Sequence, residues 1–245
     1  MNCLWFEKYR PKCLSDILLP AGDIKKARDW IRDFKARKEK TPNCLFIYGE
    51  PGLGKTSLAR VLLEGYNYDV CEFNASELRN QKQVREKLAE INGNMNVISF
   101  MVSNKRSMGV IMDEIDGMSG NDKGGLTELM NTIFTKRSGK DKRPTGSPFI
   151  CISNSIDKKI KTLRDKSVSI KFSRPSKMLM TRLIERILKA EGIEVDYFEI
   201  GKIITHSQGD YRRLVNLLEY LFYNKSTEEE ILEKVKQTIK STFNQ

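Results

Sequence analysis

The strongest constraint on this chain is a glycine-rich segment that matches the phosphate-loop pattern of Gly, any four residues, then Gly-Lys-Thr. The apolar residues 44–48 before it predict a buried parallel strand, and residues 57–63 after it predict a helix. Backbone N–H groups of such a loop point at phosphate oxygens from a helix N-terminus. The residues expected to contact a nucleotide here are Gly49, Glu50, Pro51, Gly52, Leu53, Gly54, Lys55, Thr56 and Ser57.

Two side chains of this loop are expected to contact the phosphates and the metal ion of a bound nucleotide. Lys55 is expected to bridge the β and γ phosphates, and the Thr56 hydroxyl to ligate Mg²⁺. A chance match to the pattern is on the order of one per cent for a chain of this length. The flanking strand and helix favour the functional interpretation further, so the sequence predicts a nucleotide-binding α/β fold.

A second motif places carboxylates at the end of another apolar run, residues 110–112. Strand ends of this kind face the ligand in open α/β sheets. Asp113 is the candidate for holding Mg²⁺ with Thr56, and Glu114 for orienting and deprotonating the water that attacks the γ-phosphate. An acidic turn is common on protein surfaces, but downstream of a phosphate loop the catalytic interpretation is favoured.

A third apolar run, residues 148–153, ends at Asn154. The Asn154 amide is a candidate for holding the same attacking water, and the alternative is an asparagine that only starts a turn. Together the three strand ends are typical of an AAA+ ATPase core. The guanine-reading pattern Asn-Lys-x-Asp does not occur in the sequence, which disfavours a Ras-like GTPase.

The order of predicted elements divides the chain into two domains. Strands and helices alternate up to about Phe172, and only helices follow, so we expect an AAA+ nucleotide-binding domain over 1–173 and a helical lid domain over 174–245. The lid helices are predicted over residues 176–191, about 196–206, and around Leu214 to Leu221. Thr227 and Glu230 form a capping box that predicts a final helix. The fold class is therefore α/β, with a parallel sheet flanked by helices and a small all-helical domain after it.

The charge of the chain favours an anionic macromolecular partner. Lys and Arg number 43 against 32 Asp and Glu, a net charge of +11. Candidate contacts with DNA phosphates are Arg79, Lys82 and Arg85 on one predicted helix, and Lys123 beyond the acidic motif. The alternative is a solvated, Lys-rich surface. No apolar run approaches the roughly 18 to 20 residues of a membrane span, so we expect no membrane partner and an intracellular protein.

Several segments resemble replication factor C, the AAA+ clamp-loader family. Residues 5–17, Trp-Phe-Glu-Lys-Tyr-Arg-Pro-Lys-Cys-Leu-Ser-Asp-Ile, are similar to the family's opening segment, which wraps the adenine; this implies Phe6 and Leu18 as adenine neighbours. Residues 72–79 resemble its Asn-Ala-Ser element, and residues 113–125 resemble the large subunit in particular. Residues 209–212, Gly-Asp-Tyr-Arg, are similar to the lid motif whose arginine touches the γ-phosphate, which implies Arg212.

The resemblance implies an ATP- and Mg²⁺-dependent clamp-loader subunit of the large-subunit type. Its implied partners are clamp-loader small subunits, a sliding clamp and primer-template DNA bound without sequence preference, at a nuclear or cytoplasmic replication site. Where small subunits carry Ser-Arg-Cys, with the arginine acting as a finger in a neighbour's site, this chain has Asp165-Lys166-Ser167. The sequence given ends after the predicted lid, so we expect it not to contain the family's helical collar. Residues 97–101 align with the apolar element that large subunits insert into the clamp, or form another core strand.

Two other functions are compatible with the sequence. One is a different AAA+ remodeller of DNA, such as a helicase loader or a branch-migration motor, which a stable hexameric ring would indicate. The other is a non-hydrolysing module that binds ATP and DNA for assembly, because the chain lacks its own finger.

Overall fold

In the part of the chain that the structure describes, a parallel five-stranded sheet forms the core and carries the three predicted strand ends. The computed structural model describes residues 4–75, 82, 86, 107–118, 124–134 and 146–222. The strand order is β2-β3-β4-β1-β5. The strands are β1 (Cys44–Gly49), β2 (Tyr68–Asn74), β3 (Ser107–Asp113), β4 (Phe149–Ser153) and β5 (Val168–Phe172). The predicted fold class is confirmed.

The central strands are apolar because both faces of the sheet are covered. β4 is buried along its whole length, and so are the first four residues of β1. Leu45 pairs with Ile150 of β4 on one side and Val168 of β5 on the other. Continuous apolar runs of this kind are typical of parallel sheets, whose crossover helices pack on both faces.

Four of the helices belong with the sheet: α2 (Ala21–Lys35), α3 (Lys55–Gly65), α4 (Gly125–Ile133) and α5 (Lys158–Asp165). α2 buries Ala27, Trp30, Ile31 and Phe34, one stripe at helical spacing. Its Trp30 ring also donates Nε1–H to the Pro42 carbonyl oxygen at 2.9 Å, which satisfies the polar atom of an otherwise apolar side chain.

Among the helices whose bounds the structure describes, the others are α1 (Trp5–Lys8), α6 (Lys177–Glu191), α7 (Tyr197–Ser207) and α8 (Tyr211–Phe222). α6 begins after Ser176, whose hydroxyl accepts the Leu179 N–H, and ends at Gly192 in the left-handed conformation, φ 68°. The three longer helices correspond to the three predicted over residues 176–221.

Contacts group the chain into two compact units. The helical unit consists of Met1–Arg10, Pro51–Gly54 and Ser173–Gln245, and the sheet unit consists of Pro11–Glu50 and Lys55–Phe172. Four residues of the phosphate loop therefore group with the helical unit. The sequence-based division into domains 1–173 and 174–245 stays a prediction.

Several predicted features lie outside the described residues. These are Arg79, Arg85 and Lys123, the element at residues 97–101, and the capping box of Thr227 and Glu230. Lys82 is described: it is helical, its side chain is 85% exposed, and its Nζ lies 3.8 Å from Glu86 Oε1. Among the described residues, no helix combines the length and the apolar character that crossing a membrane requires.

Candidate nucleotide-binding site

Lys55 is the first residue of α3, and its ammonium group lies in a cluster of oxygen atoms. Its Nζ donates to the Gly49 carbonyl at 2.8 Å, the Glu50 carbonyl at 2.7 Å and Asn154 Oδ1 at 2.7 Å. The residue is only 6% exposed. The contacts hold the ammonium where β1, the start of the loop and the end of β4 meet, and its predicted phosphate-binding role stays a prediction.

Thr56 and Asp113 lie side by side, as predicted for a shared metal ion. The Thr56 hydroxyl donates to Asp113 Oδ2 at 2.6 Å. The other carboxylate oxygen, Oδ1, accepts the Glu114 N–H at 2.8 Å. A hydroxyl and a carboxylate are the hard oxygen ligands that Mg²⁺ takes, and Mg²⁺ usually needs only one or two protein ligands beside phosphates and water. This pair therefore fits a magnesium ion that accompanies a nucleotide.

Glu114, the candidate base, has an unusual backbone and a specific partner. Its φ is +56°, in the left-handed region that a residue with this side chain rarely adopts. Its Oε2 accepts a hydrogen bond from Asn74 Nδ2 at 3.0 Å. β2 pairs with β3 so that Asn74 is opposite Asp113, which places the amide beside the next residue. Oε1 is the other oxygen of this carboxylate.

Asp116 connects the acidic motif to the end of β4. It lies in a short 3-10 helix, Ile115–Met118, that follows the motif. Its Oδ1 accepts the Asn154 N–H at 3.3 Å, and its Oδ2 accepts the Ser155 hydroxyl at 3.5 Å. Each acid of the motif thus contacts a different element, because Asp113 meets α3 and Glu114 meets β2.

Asn74 and Asp116 are two polar residues beside the predicted catalytic groups that the sequence patterns did not single out. Asn74 was part of the Asn-Ala-Ser resemblance, which assigned it no chemical role. The signal that could have identified both is position: Asn74 ends a strand beside β3, and Asp116 lies two residues after Glu114.

In the helical unit, the start of α8 contacts the phosphate loop at Gly52. The Tyr211 N–H donates to the Gly52 carbonyl at 3.0 Å. Gly52 has φ +73°, and a Cβ atom added there would lie 2.1 Å from the Asp210 carboxylate. Asp210 Oδ1 in turn accepts the Arg213 N–H at 2.9 Å, so it caps α8.

Arg212, the predicted γ-phosphate contact, is the next residue after Tyr211. Its guanidinium carbon lies 5.1 Å from the centre of the Phe6 ring, a cation–π contact between two residues predicted to bind nucleotide. A surface pocket of about 400 Å³ is lined by His206, Asp210, Arg212, Arg213, Asn216 and Leu217. Burial and the charge of Arg213 lower the pKa of His206, so the imidazole at this pocket is neutral near pH 7.

The other predicted contacts are distributed over the two units. Leu53 is buried, whereas Pro51 is exposed; both group with the helical unit. Leu18 and Ser57 are half-buried residues of the sheet unit. Lys166, at the predicted finger position, follows α5 and places its Nζ 5.7 Å from the centre of the Phe134 ring.

The sheet order, the loop and the acidic strand end define a nucleoside triphosphatase fold, and sequence comparison names its family. Residues 45–174 match the ATPase family associated with various cellular activities (AAA), and the chain belongs to that family. Among solved structures, the chain is similar to the Thermotoga maritima RuvB Holliday junction branch migration motor. The TM-score is 0.64 at 17% identity, covering 94% of this chain and 72% of that one. That likeness shows the fold alone.

Similarity to curated proteins identifies the relatives of this chain more narrowly than the likeness of fold does. The chain is 33% identical over 231 residues to the replication factor C large subunit of Methanococcus maripaludis (strain C5), covering 92% of this chain and 44% of that protein. It is 30% identical over 234 residues to replication factor C subunit 1 of Schizosaccharomyces pombe, covering 88% of this chain and 24% of that protein. The resemblance to replication factor C large subunits is therefore confirmed. The chain spans less than half the length of these relatives.

Proposed function

We propose that this chain is the ATP-hydrolysing module of a clamp loader of the large-subunit type, which acts with small subunits on a sliding clamp and primer-template DNA in DNA replication. The observation that carries the proposal is the acidic motif. Asp113, Glu114 and Asp116 each contact a polar residue of a different element, and the same stretch resembles replication factor C large subunits. Similarity to curated large subunits along most of the chain supports it.

The proposed chemistry is hydrolysis of the β–γ phosphoanhydride bond, which depends mainly on positioning and charge. Lys55 would compensate the phosphate charge from its anchored position. Thr56 and Asp113 would hold Mg²⁺, which neutralises charge on the phosphates when it is bound. Arg212 would add a second positive charge at the γ-phosphate.

Glu114 would accept the proton of the attacking water. In this structure Oε2 accepts from Asn74, so we assign the water to Oε1. Asn154 Oδ1 accepts from Lys55, so we assign its amide Nδ2 to that water. Phe6 and Leu18 would lie against the adenine. These assignments are proposals for each residue.

Turnover is proposed to need a partner. Lys166 replaces the finger of the small subunits, and the position it occupies serves a neighbour's nucleotide rather than the chain's own. A finger supplied in trans is worth about 10³ to 10⁵ in rate in related phosphoryl transfers. The isolated chain should therefore bind ATP and hydrolyse it slowly.

The test is steady-state phosphate release by the chain alone and with small subunits whose own phosphate loops are inactivated. We expect stimulation by finger-bearing partners, and its absence when the chain carries Glu114→Gln, which should still bind ATP. Lys55→Ala should abolish tight ATP binding. Fast ATP turnover by the isolated chain would contradict the need for a partner and favour the interpretation as an independent AAA+ motor. Binding without any turnover in the full assembly would favour the non-hydrolysing module.

DNA binding is proposed to involve phosphates only, through Arg79, Lys82, Arg85 and Lys123. The side chain of Lys82 is mostly exposed, which is compatible with a phosphate contact. Affinity should then be independent of sequence and fall steeply with salt, because the contacts release counterions. The measurement is fluorescence anisotropy with two unrelated primer-template duplexes over a salt series. Affinity that survives replacement of the four residues by alanine would favour the solvated-surface interpretation.

A further inference from the structure

A carboxylate far along the chain anchors the first helix. Glu191, the last residue of α6, accepts hydrogen bonds at the same oxygen, Oε1, from Lys8 Nζ at 2.6 Å and from the Tyr9 hydroxyl at 2.5 Å. Its side chain is only 18% exposed. Partial burial pushes the pKa of Glu191 upward, but the hydrogen bonds from Lys8 and Tyr9 outweigh that effect, so the pKa lies below its ordinary value. The anchor is therefore an ionised carboxylate at neutral pH.

α1 depends on such contacts because it has only four residues. One turn of helix is not stable by itself in water. Trp5 is 5% exposed and packs edge-on against the Tyr9 ring, with centroids 5.9 Å apart. The Glu191 hydrogen bonds attach Lys8 and the Tyr9 hydroxyl to α6, so they help to fix the orientation of this turn.

The same turn presents Phe6 to Arg212 at 5.1 Å. Arg212 follows Tyr211, whose N–H binds the Gly52 carbonyl of the phosphate loop. Phe6 and the loop residues 51–54 thus belong to one compact unit, the helical unit, and the start of α8 contacts both: Arg212 contacts Phe6, and Tyr211 contacts Gly52. An aromatic ring near a phosphate loop can stack on or flank a nucleotide's base.

We infer that Glu191 is a positioning residue for the base of the nucleotide: by holding Lys8 and Tyr9, it keeps Phe6 against Arg212 of α8, the helix whose start contacts the phosphate loop. The inference rests on the proposed ATP site, with Phe6 as the residue next to the base. Glu191 does not touch the nucleotide and acts through α1. Its loss should weaken recognition of the base and leave recognition of the phosphates unchanged, because Arg212 lies on α8, whose start is held at Gly52 without α1.

The experiment compares two ligands, ATP and inorganic tripolyphosphate, each with Mg²⁺, by titration calorimetry on the full chain. Glu191→Ala should weaken ATP binding by about five- to fiftyfold, the order expected for losing one base–aromatic contact, and leave tripolyphosphate binding unchanged. Glu191→Gln, which keeps an acceptor for Tyr9, should lose less. Glu194→Ala is the matched control, because Glu194 is an exposed carboxylate just beyond α6, and it should change neither affinity.

Two further variants test the same inference if Glu191→Ala folds poorly. Tyr9→Phe removes a single hydrogen bond and should give a smaller but still ATP-specific loss. In a Phe6→Leu background, Glu191→Ala should add little to the loss of ATP affinity, because both changes act through the same ring.

The results that overturn the inference differ from those that overturn the ATP site. Unchanged ATP affinity in Glu191→Ala, or equal losses for ATP and tripolyphosphate, would refute base positioning while leaving the ATP site intact. A wild-type chain that binds neither ligand, or binds both independently of Lys55, would refute the proposed site and this inference with it.

Discussion

Replacing Gly52 with alanine should destabilise the protein through a contact that the loop sequence alone does not reveal. Gly52 has φ +73°, and an alanine in this region costs about 1–2 kcal/mol of backbone energy. The new Cβ would also lie 2.1 Å from the Asp210 carboxylate, which must therefore move. Moving it breaks the cap of α8, because Asp210 Oδ1 accepts the Arg213 N–H. Loss of a cap costs about 0.5–2 kcal/mol.

The two contributions give a total of about 1.5–4 kcal/mol for Gly52→Ala. Gly54 is a matched control in the same loop. Its φ is +88°, and a Cβ there would meet nothing within 4 Å. Gly54→Ala should therefore cost only the backbone contribution of about 1–2 kcal/mol.

The assay is urea unfolding followed by far-ultraviolet circular dichroism, without nucleotide, for both variants in the wild-type and Asp210→Ala backgrounds. In the Asp210→Ala background the penalties of the two glycine substitutions should become equal, because neither then displaces a carboxylate. Equal penalties already in the wild-type background would refute the contact between Asp210 and the phosphate loop.

Two further predictions concern the metal ligands and the single histidine. Mg²⁺ should increase the ATP affinity of the wild-type chain, and Thr56→Val should reduce that increase by about tenfold to a hundredfold. Thr56→Ser keeps the hydroxyl and should keep the increase. Calorimetry of ATP binding with Mg²⁺ and with EDTA measures it. Burial and Arg213 lower the pKa of His206 below 6.5, so the unfolded state binds the proton more readily. The free energy of unfolding should therefore fall as the pH drops from 7 to 5, and fall less in His206→Gln, as urea titrations at both pH values would show.

Local patterns predicted β1, β3 and β4 because each of these strands is a largely apolar run with a polar residue or a glycine loop after it. The run before Gly49 became β1, and those before Asp113 and Asn154 became β3 and β4, within about one to three residues. In α2, the spacing of Ile24, Ala27, Ile31 and Phe34 in the sequence is that of a helix with one apolar face, but Trp30 is buried there as well and Ile24 only partly. Trp30 has the right spacing, and its ring nitrogen finds a carbonyl that only the folded chain provides.

The pairings within the site were not predictable in the same way. Lys55 meets Asn154 because β1 and β4 are neighbours, and Asn74 meets Glu114 because β2 pairs with β3 in one particular register. A single sequence contains no direct signal for strand order or register. The grouping of residues 51–54 with the helical unit was also not predictable from the sequence. It involves the hydrogen bond from the Tyr211 N–H to the Gly52 carbonyl, which joins residues far apart in the chain.

The composition of the helical unit has a consequence for synthesis of the chain. Lys8 and Glu191, which join in this unit, are separated by 183 positions. α1 leaves the ribosome well before its partners on α6 and α8 have been made. Domains whose segments are contiguous can fold as they emerge, but this unit can be completed only after the helices following Phe172 are available. Trp5, 5% exposed in the folded protein, should therefore remain accessible to solvent and chaperones until then. Late burial of Trp5 should make its fluorescence a reporter of the final folding step.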